Sequence, residues 1–150
     1  MRPVDIFAFC QSIASPALRA VALVWSYRFD PDSGDFVGRL AGNRIAQAYG
    51  RSFRGLRLSH IHNSPERFAR TFALFQRAIS EPAIFRGSGR VFQLKGKFES
   101  GERIMLPLST DGLKGDSVFG ATESGGLPVI HDQPVEPVHD IGDWFSLSNG

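Results

Sequence analysis

The order of hydrophobic patterns along the chain predicts an α+β domain, with an antiparallel sheet and its helices gathered on one face. Three observations carry this. Trp25, Tyr27 and Phe29 alternate with Ser26, Arg28 and Asp30, the period-two signature of a half-buried strand. Phe68, Phe72, Phe75 and Ile79 recur at i, i+4, i+7 and i+11, which is one stripe of a helix. Strand patterning then returns over residues 83–123.

Taken in order, residues 4–14 place Ile6, Phe9, Cys10 and Ile13 at helical spacing, with Pro16 beyond them, and read as a short N-terminal amphipathic helix. Residues 17–23 are apolar and fit more than one element. Residues 24–40 read as a β-hairpin about the turn Pro31-Asp32-Ser33-Gly34, with Phe36, Gly38 and Leu40 continuing the alternation. Asn43 can cap a short helix that carries Ile45 and Tyr49 on one face and ends at Gly50. Residues 51–62 read as short turns. Ser64-Pro65-Glu66 is a helix start: a capping hydroxyl, proline at the first position and an acid in the first turn. Pro82 stops that helix.

Residues 83–123 read as three strands. Phe92, Leu94 and Phe98 share one face of the first, and Ser100-Gly101 supplies a turn. Ile104, Leu106 and Leu108 share one face of the second, with Met105 out of phase and directed to the other side. Asp111-Gly112 and Gly115 open a longer loop, and Val118 to Thr122 form the third strand. Gly87-Ser88-Gly89 reads as a strand-connecting turn. Pro107 is awkward in a central strand, which needs its N–H, and calls for a bulge or a place beyond its neighbour's end. The tail from Gly125 holds Pro128, Pro134 and Pro137 and reads as extended or mobile, with an aromatic contact at Trp144-Phe145. The expected divisions are an N-terminal helical segment over 1–19, a domain over 20–124 and a tail over 125–150.

Composition narrows the function. The 150 residues suit one domain with one core, and 42% hydrophobic against 21% charged residues is ordinary for a globular chain. The net charge is only +2, with no basic block to track phosphates, so no nucleic-acid partner is expected. Thirteen phenylalanines call for a wide core, a lined cavity or an adhesive surface. Cys10 is the sole cysteine, which excludes a disulfide framework within the chain and fits a reducing cytoplasm, the expected location. The apolar run near the N-terminus is too short to span a bilayer and lacks a basic leader, so neither membrane nor export is expected. No G-x-S-x-G elbow, phosphate-cradling G-x-x-x-x-G-K, H-E-x-x-H or C-x-x-C occurs. The acidic cluster at Asp30, Asp32 and Asp35 lacks calcium-loop spacing and reads as turn chemistry.

The layout β-β-α-α-β-β-β resembles the PAS fold. The run Arg39-Leu40-Ala41-Gly42-Asn43 through Tyr49-Gly50-Arg51 to Gly55 is similar to one bacterial PAS-like family, mostly alphaproteobacterial and of unknown function. Leu106-Pro107-Leu108-Ser109-Thr110-Asp111-Gly112, leading to Val118-Phe119-Gly120-Ala121, matches its second signature. The resemblance spans roughly residues 20–124. It implies a five-stranded antiparallel sheet, a small-molecule pocket between sheet and long helix, and a homodimer often built through an N-terminal helix. Its implied function is sensory or interactive, in bacterial signal transduction, through a small apolar or planar ligand, a protein partner, or both. The Asn-Cys-Arg motif of flavin-binding light sensors is absent. Haem-binding members use a histidine on the long helix, and this one carries none.

Candidate residues follow from these readings. The stripe Phe68, Phe72 and Phe75 is either core or a pocket wall, and Tyr49, Phe85, Phe92 and Met105 can line the same space. His60 and His62, two apart, share a face only on a strand. They serve as polar loop residues, as pocket ligands, or, in the alternative readings, as the general base of a small cyclase-like α+β enzyme or an axial ligand of haem. Ile6, Phe9, Cys10 and Ile13 are a lid over the chain's own sheet or a dimer contact. No catalytic residue, metal or required cofactor is expected.

Overall fold

The computed structural model describes residues 24–49, 52–62, 64–94, 97–124, 136–138 and 142–147. Ile6, Phe9, Cys10 and Ile13, with the whole segment 1–19, lie outside the described residues. The described strands are β1 (Val24–Asp30), β2 (Asp35–Ala41), β3 (Ala83–Leu94), β4 (Lys97–Leu108), β5 (Ser117–Ser124), β6 (Glu136–Pro137) and β7 (Gly142–Ser146). Between β2 and β3 come α1 (Asn43–Tyr49), α2 (Leu58–Ile61) and α3 (Pro65–Ser80). All described pairings are antiparallel, in the order β2-β1-β5-β4-β3-β6, with β7 also on β3. The chain is therefore α+β.

The hairpin β1–β2 forms where expected, because its turn is over-determined. Ser33 Oγ donates to Asp30 Oδ2 at 2.7 Å, the Asp32 N–H reaches Asp30 Oδ1, and Gly34 supplies the left-handed residue at φ 66°. These bonds hold the Asp30 carboxyl below its ordinary pKa, the Ser33 hydroxyl first among them. In α3 the Ser64 hydroxyl accepts the Arg67 N–H at 3.3 Å, and Pro65 occupies the first position. The apolar stripe turns inward: Phe75, Ala78 and Ile79 are buried, and Phe68 and Phe72 half-buried.

The sheet is wider than five strands, because the tail adds β6 and β7 to the free edge of β3. Trp144 pairs with Phe85 and Pro137 with Phe92. The described residues of the expected tail over 125–150 are extended and pair with β3. The reason is the edge itself: a long β3 with unpaired N–H and C=O groups is a template for further strands.

Two expected turns are corrected. Gly87-Ser88-Gly89 lies inside β3, and Ser100-Gly101 lies inside β4, with Gly89 opposite Gly101. The chain reverses between Leu94 and Lys97, which are paired. Phe98 therefore belongs to β4 and not to the strand of Phe92, and Leu94 pairs across the reversal. Gly87 answers crowding rather than reversal, since a Cβ there would come within 2.9 Å of the Phe85 ring, and Gly89 adopts a φ of 122° inside the strand. A register shift between Arg90 and Phe92 also breaks the simple alternation. Pro107 pairs with Val118 of β5 but lies past the paired stretch of β3, which starts at Phe85–Met105, so its missing N–H breaks no ladder there.

The sheet buries both faces. Trp25, Tyr27, Met105 and Val118 join Phe75 of α3 in the main core, whereas Ile84, Ile104, Leu106 and Ala121 form a second cluster of opposite strand parity. Met105, fully buried, thus faces away from Ile104 and Leu106, as its phase predicts.

Candidate functional site

The inner face of the sheet and the helices enclose a chamber. Its walls are aromatic: Trp25 stacks on Phe75 at 5.8 Å between ring centroids, Tyr27 meets Phe53 edge-on at 5.0 Å, and Phe53 meets Tyr49 at 5.3 Å. Ile45, Leu58, Phe92 and Pro137 complete the lining. The void that remains measures about 10 Å³. That is the space of one water-sized probe, so the rings fill the interior almost completely.

Arg103 enters this chamber from β4. It is two residues from Met105 and shares its parity, so the strand turns the guanidinium inward, where it is 3% exposed. Nε donates to Thr122 Oγ1 at 2.9 Å, one terminal nitrogen to the Val91 carbonyl at 2.8 Å and the other to the Val138 carbonyl. The same Thr122 hydroxyl accepts the Trp25 indole N–H at 2.8 Å. The guanidinium also lies over the Phe92 ring, 5.7 Å from its centroid. Burial lowers its pKa to about 10, partly offset by the nearby Tyr49 and Tyr27, so it is charged at neutral pH. One cation thus fastens β4, β5, β3 and Val138, the residue after β6, together.

Of the expected pocket residues, the structure brings Tyr49, Phe75 and Phe92 to the chamber wall. Phe85 and Met105 lie in the same core, with Phe68 and Phe72 packed against it, but none of the four lines the void. His60 is exposed. His62, 9% exposed, lines a separate cleft of about 130 Å³ with Arg67, Arg70, Thr71, Arg90 and Gln93. Neither histidine reaches the chamber. Sequence reading missed Arg103 and Thr122. The available signal was an arginine and a threonine at inward positions of two strands whose other inward residues are apolar.

A third concavity, an open groove of about 730 Å³, runs between the β1–β2 hairpin, the end of α3 and the loop 109–116. Arg28, Arg39 and Lys114 alternate there with Asp30, Asp111 and Asp116, so it gathers no single sign of charge. Its loop is firmly tied. Asp111 Oδ1 accepts the N–H groups of Lys114 and Leu113 and the Ser109 hydroxyl, which holds its pKa down at about 2. At Asp116 the upward push of burial is outweighed by the hydrogen bonds from Thr110 and Ser117, and its pKa is lowered.

Among the described residues no group of three or more His, Cys, Asp or Glu side chains could hold a metal ion, and no helix is long and apolar enough to cross a membrane. No family model matches the chain, and no curated protein or solved structure matches it.

Proposed function

We propose that the chain is a PAS-like interaction domain of bacterial signal transduction, acting in the cytoplasm as a homodimer and through a protein partner. The support for the PAS-like part is the element order: two strands, short helices, one long helix over the inner face, then three strands. Residues 39–49 leave β2 and form α1, while 106–121 leave β4 and enter β5.

The observation that favours interaction over small-molecule sensing is the closed chamber. A cavity of about 10 Å³ has no room for a planar ligand, which in general occupies a pocket of several hundred Å³. The reading assigns the domain no catalytic step and no cofactor. His60 and His62 do not line the chamber, so among the described residues the cyclase-like and haem readings gain no support.

A second reading, a ligand sensor that opens its chamber, draws on the polar groups there. Arg103, Thr122 and the two tyrosines converge within aromatic walls, and Pro137 of β6 closes one side. Native mass spectrometry of the freshly purified protein separates the two. The interaction reading expects a dimer with no retained small molecule. A stoichiometric bound ligand would overturn it in favour of sensing, and a monomer would remove the homodimer.

A further inference from the structure

The outer face of the sheet, opposite the helices, is closed at its centre, and no described helix lies there. Ile84 and Ile104 are 0% exposed, and Leu106 and Ala121 are almost as deeply buried. The described buried apolar residues of α1, α2 and α3 all belong to the core on the other face. Among the described residues, only Val24, Phe119 and Leu147 pack on the outer cluster. Side chains stand roughly perpendicular to a sheet, so neighbours within the sheet leave their tips open to water. Leu40 and Phe145 show this: they share the face, opposite Ser26 and Ile84, and are 51% and 43% exposed. The cover is therefore local. It spans β3, β4 and β5, a width of about 10 Å, which is roughly the diameter of one helix with its side chains.

Two segments outside the described residues are long enough to supply it, 1–23 and 125–135. The second joins Ser124 to Glu136, which pair with Gly101 and Gln93 at the end of the sheet away from Ile84 and Leu106. Its Gly125-Gly126, Pro128 and Pro134 also break any helical stripe. The first enters the sheet at Val24, which pairs with Ala121 and packs on the cluster. It carries the stripe Ile6, Phe9, Cys10 and Ile13, and the residues 14–23 between stripe and β1 can reach roughly 33 Å when extended. Charge agrees with this choice. Glu102 and Glu123 are paired on the outer face, two residues along from Ile104 and Ala121, and Oε2 of Glu123 is buried with no hydrogen-bond partner. Arg86 meets Glu102 at 3.8 Å. The segment 1–23 brings two cations, Arg2 and Arg19, against one acid, Asp5, and so complements an acidic pair beside an apolar cluster.

We infer that residues 1–23 dock on the outer face of their own sheet, laying Ile6, Phe9 and Ile13 over Ile84, Ile104, Leu106 and Ala121. Of the two roles open to the stripe, lid and dimer contact, this assigns the lid. The inference does not depend on the PAS-like reading, since it rests on burial at the outer face. A homodimer then uses another surface.

The test is paramagnetic relaxation of backbone amides in the full-length chain. A nitroxide on the Gln11→Cys/Cys10→Ser protein sits on the side of the predicted helix away from its stripe. The enhancement at amides 84–86, 104–106 and 119–121 should exceed that in α3 by about tenfold, because α3 lies a further layer of about 10 Å from the label, across the sheet. Adding Phe9→Asp/Ile13→Asp to the labelled chain should cut the enhancement at these strands several-fold. A mixture of labelled chain with isotope-enriched, unlabelled chain should show none at these amides. Enhancement there in the mixture would assign the face to a second copy. Enhancement that is absent from the strands, equal in α3, or unchanged by Phe9→Asp/Ile13→Asp would place the segment elsewhere. Each of these results overturns the inference.

Discussion

Replacing Arg103 by methionine removes a buried cation that ties β4 to β5, β3 and Val138, and the structure allows the cost to be worked out. Three hydrogen bonds from a charged donor are lost, to Thr122, Val91 and Val138. At about 2 kcal/mol each they represent roughly 6 kcal/mol. Against this stands the desolvation of the guanidinium. Burial lowers its pKa to about 10, which corresponds to roughly 3 kcal/mol that methionine does not incur. The net loss is then about 3 kcal/mol, with methionine filling much of the volume. Urea unfolding followed by tryptophan fluorescence measures it, and Trp25, which shares the Thr122 hydroxyl, reports locally. Arg103→Lys keeps the charge but not the fork, and should lose about half as much. Hydrogen exchange gives an independent reading: the Val138 N–H bonds the Val91 carbonyl, and its protection should fall more than that of the β1–β5 ladder. If Arg103→Met unfolds within about 0.5 kcal/mol of the parent, or if Val138 keeps its protection, the clamp argument fails.

Thr122→Val leaves the Trp25 indole and the Arg103 Nε without their shared acceptor, and should destabilise by about 2–3 kcal/mol, while Thr122→Ser should cost under 1 kcal/mol; thermal unfolding of the pair decides. A Cβ at Gly120 would overlap the Trp25 indole, so Gly120→Ala should cost about 1–3 kcal/mol and shift the Trp25 emission, which chemical denaturation and fluorescence check. Ser64→Ala removes the cap of α3 and should cost about 1 kcal/mol, whereas Ser64→Asp should cost little, both read from denaturation midpoints. Asp111 has its folded pKa lowered from 3.8 to about 2, so its contribution is complete above the unfolded value and lost as pH falls through the folded one. The Leu113 and Lys114 amide shifts should accordingly hold down to about pH 4 and change as the pH falls through about 2, and Asp111→Asn should abolish that transition at these two amides.

Local chemistry decided those elements whose signals lie within a few residues. The Asp30–Gly34 turn, the Ser64-Pro65 helix start, the stripe ending in Phe75 and Ile79, and the opposed faces of Met105 and Ile104 were all legible in the sequence. Each rests on period, capping or turn geometry, which short stretches of chain specify on their own. The candidate site was legible only in part. Tyr49, Phe75 and Phe92 do line one chamber, but whether that chamber is hollow depends on how rings from β1, α1, α3 and the segment at Phe53 interdigitate. Close packing is a property of facing surfaces and leaves no trace in spacing.

The same reason explains the misplaced turns and the tail. Gly87-Ser88-Gly89 and Ser100-Gly101 carry turn composition, yet pairing between them across the hairpin outweighs that local preference. β6 and β7 look irregular in sequence and are strands only because β3 offers an edge. The sequence by itself therefore determined an α+β chain, its hairpin, its capped helix and the parity of its strands. Tertiary structure alone decided that Arg103 is a buried clamp, that the aromatic chamber is closed, and that arginines 67, 70 and 90 share one cleft. These are contacts between residues distant along the chain, and only the folded sheet brings them together.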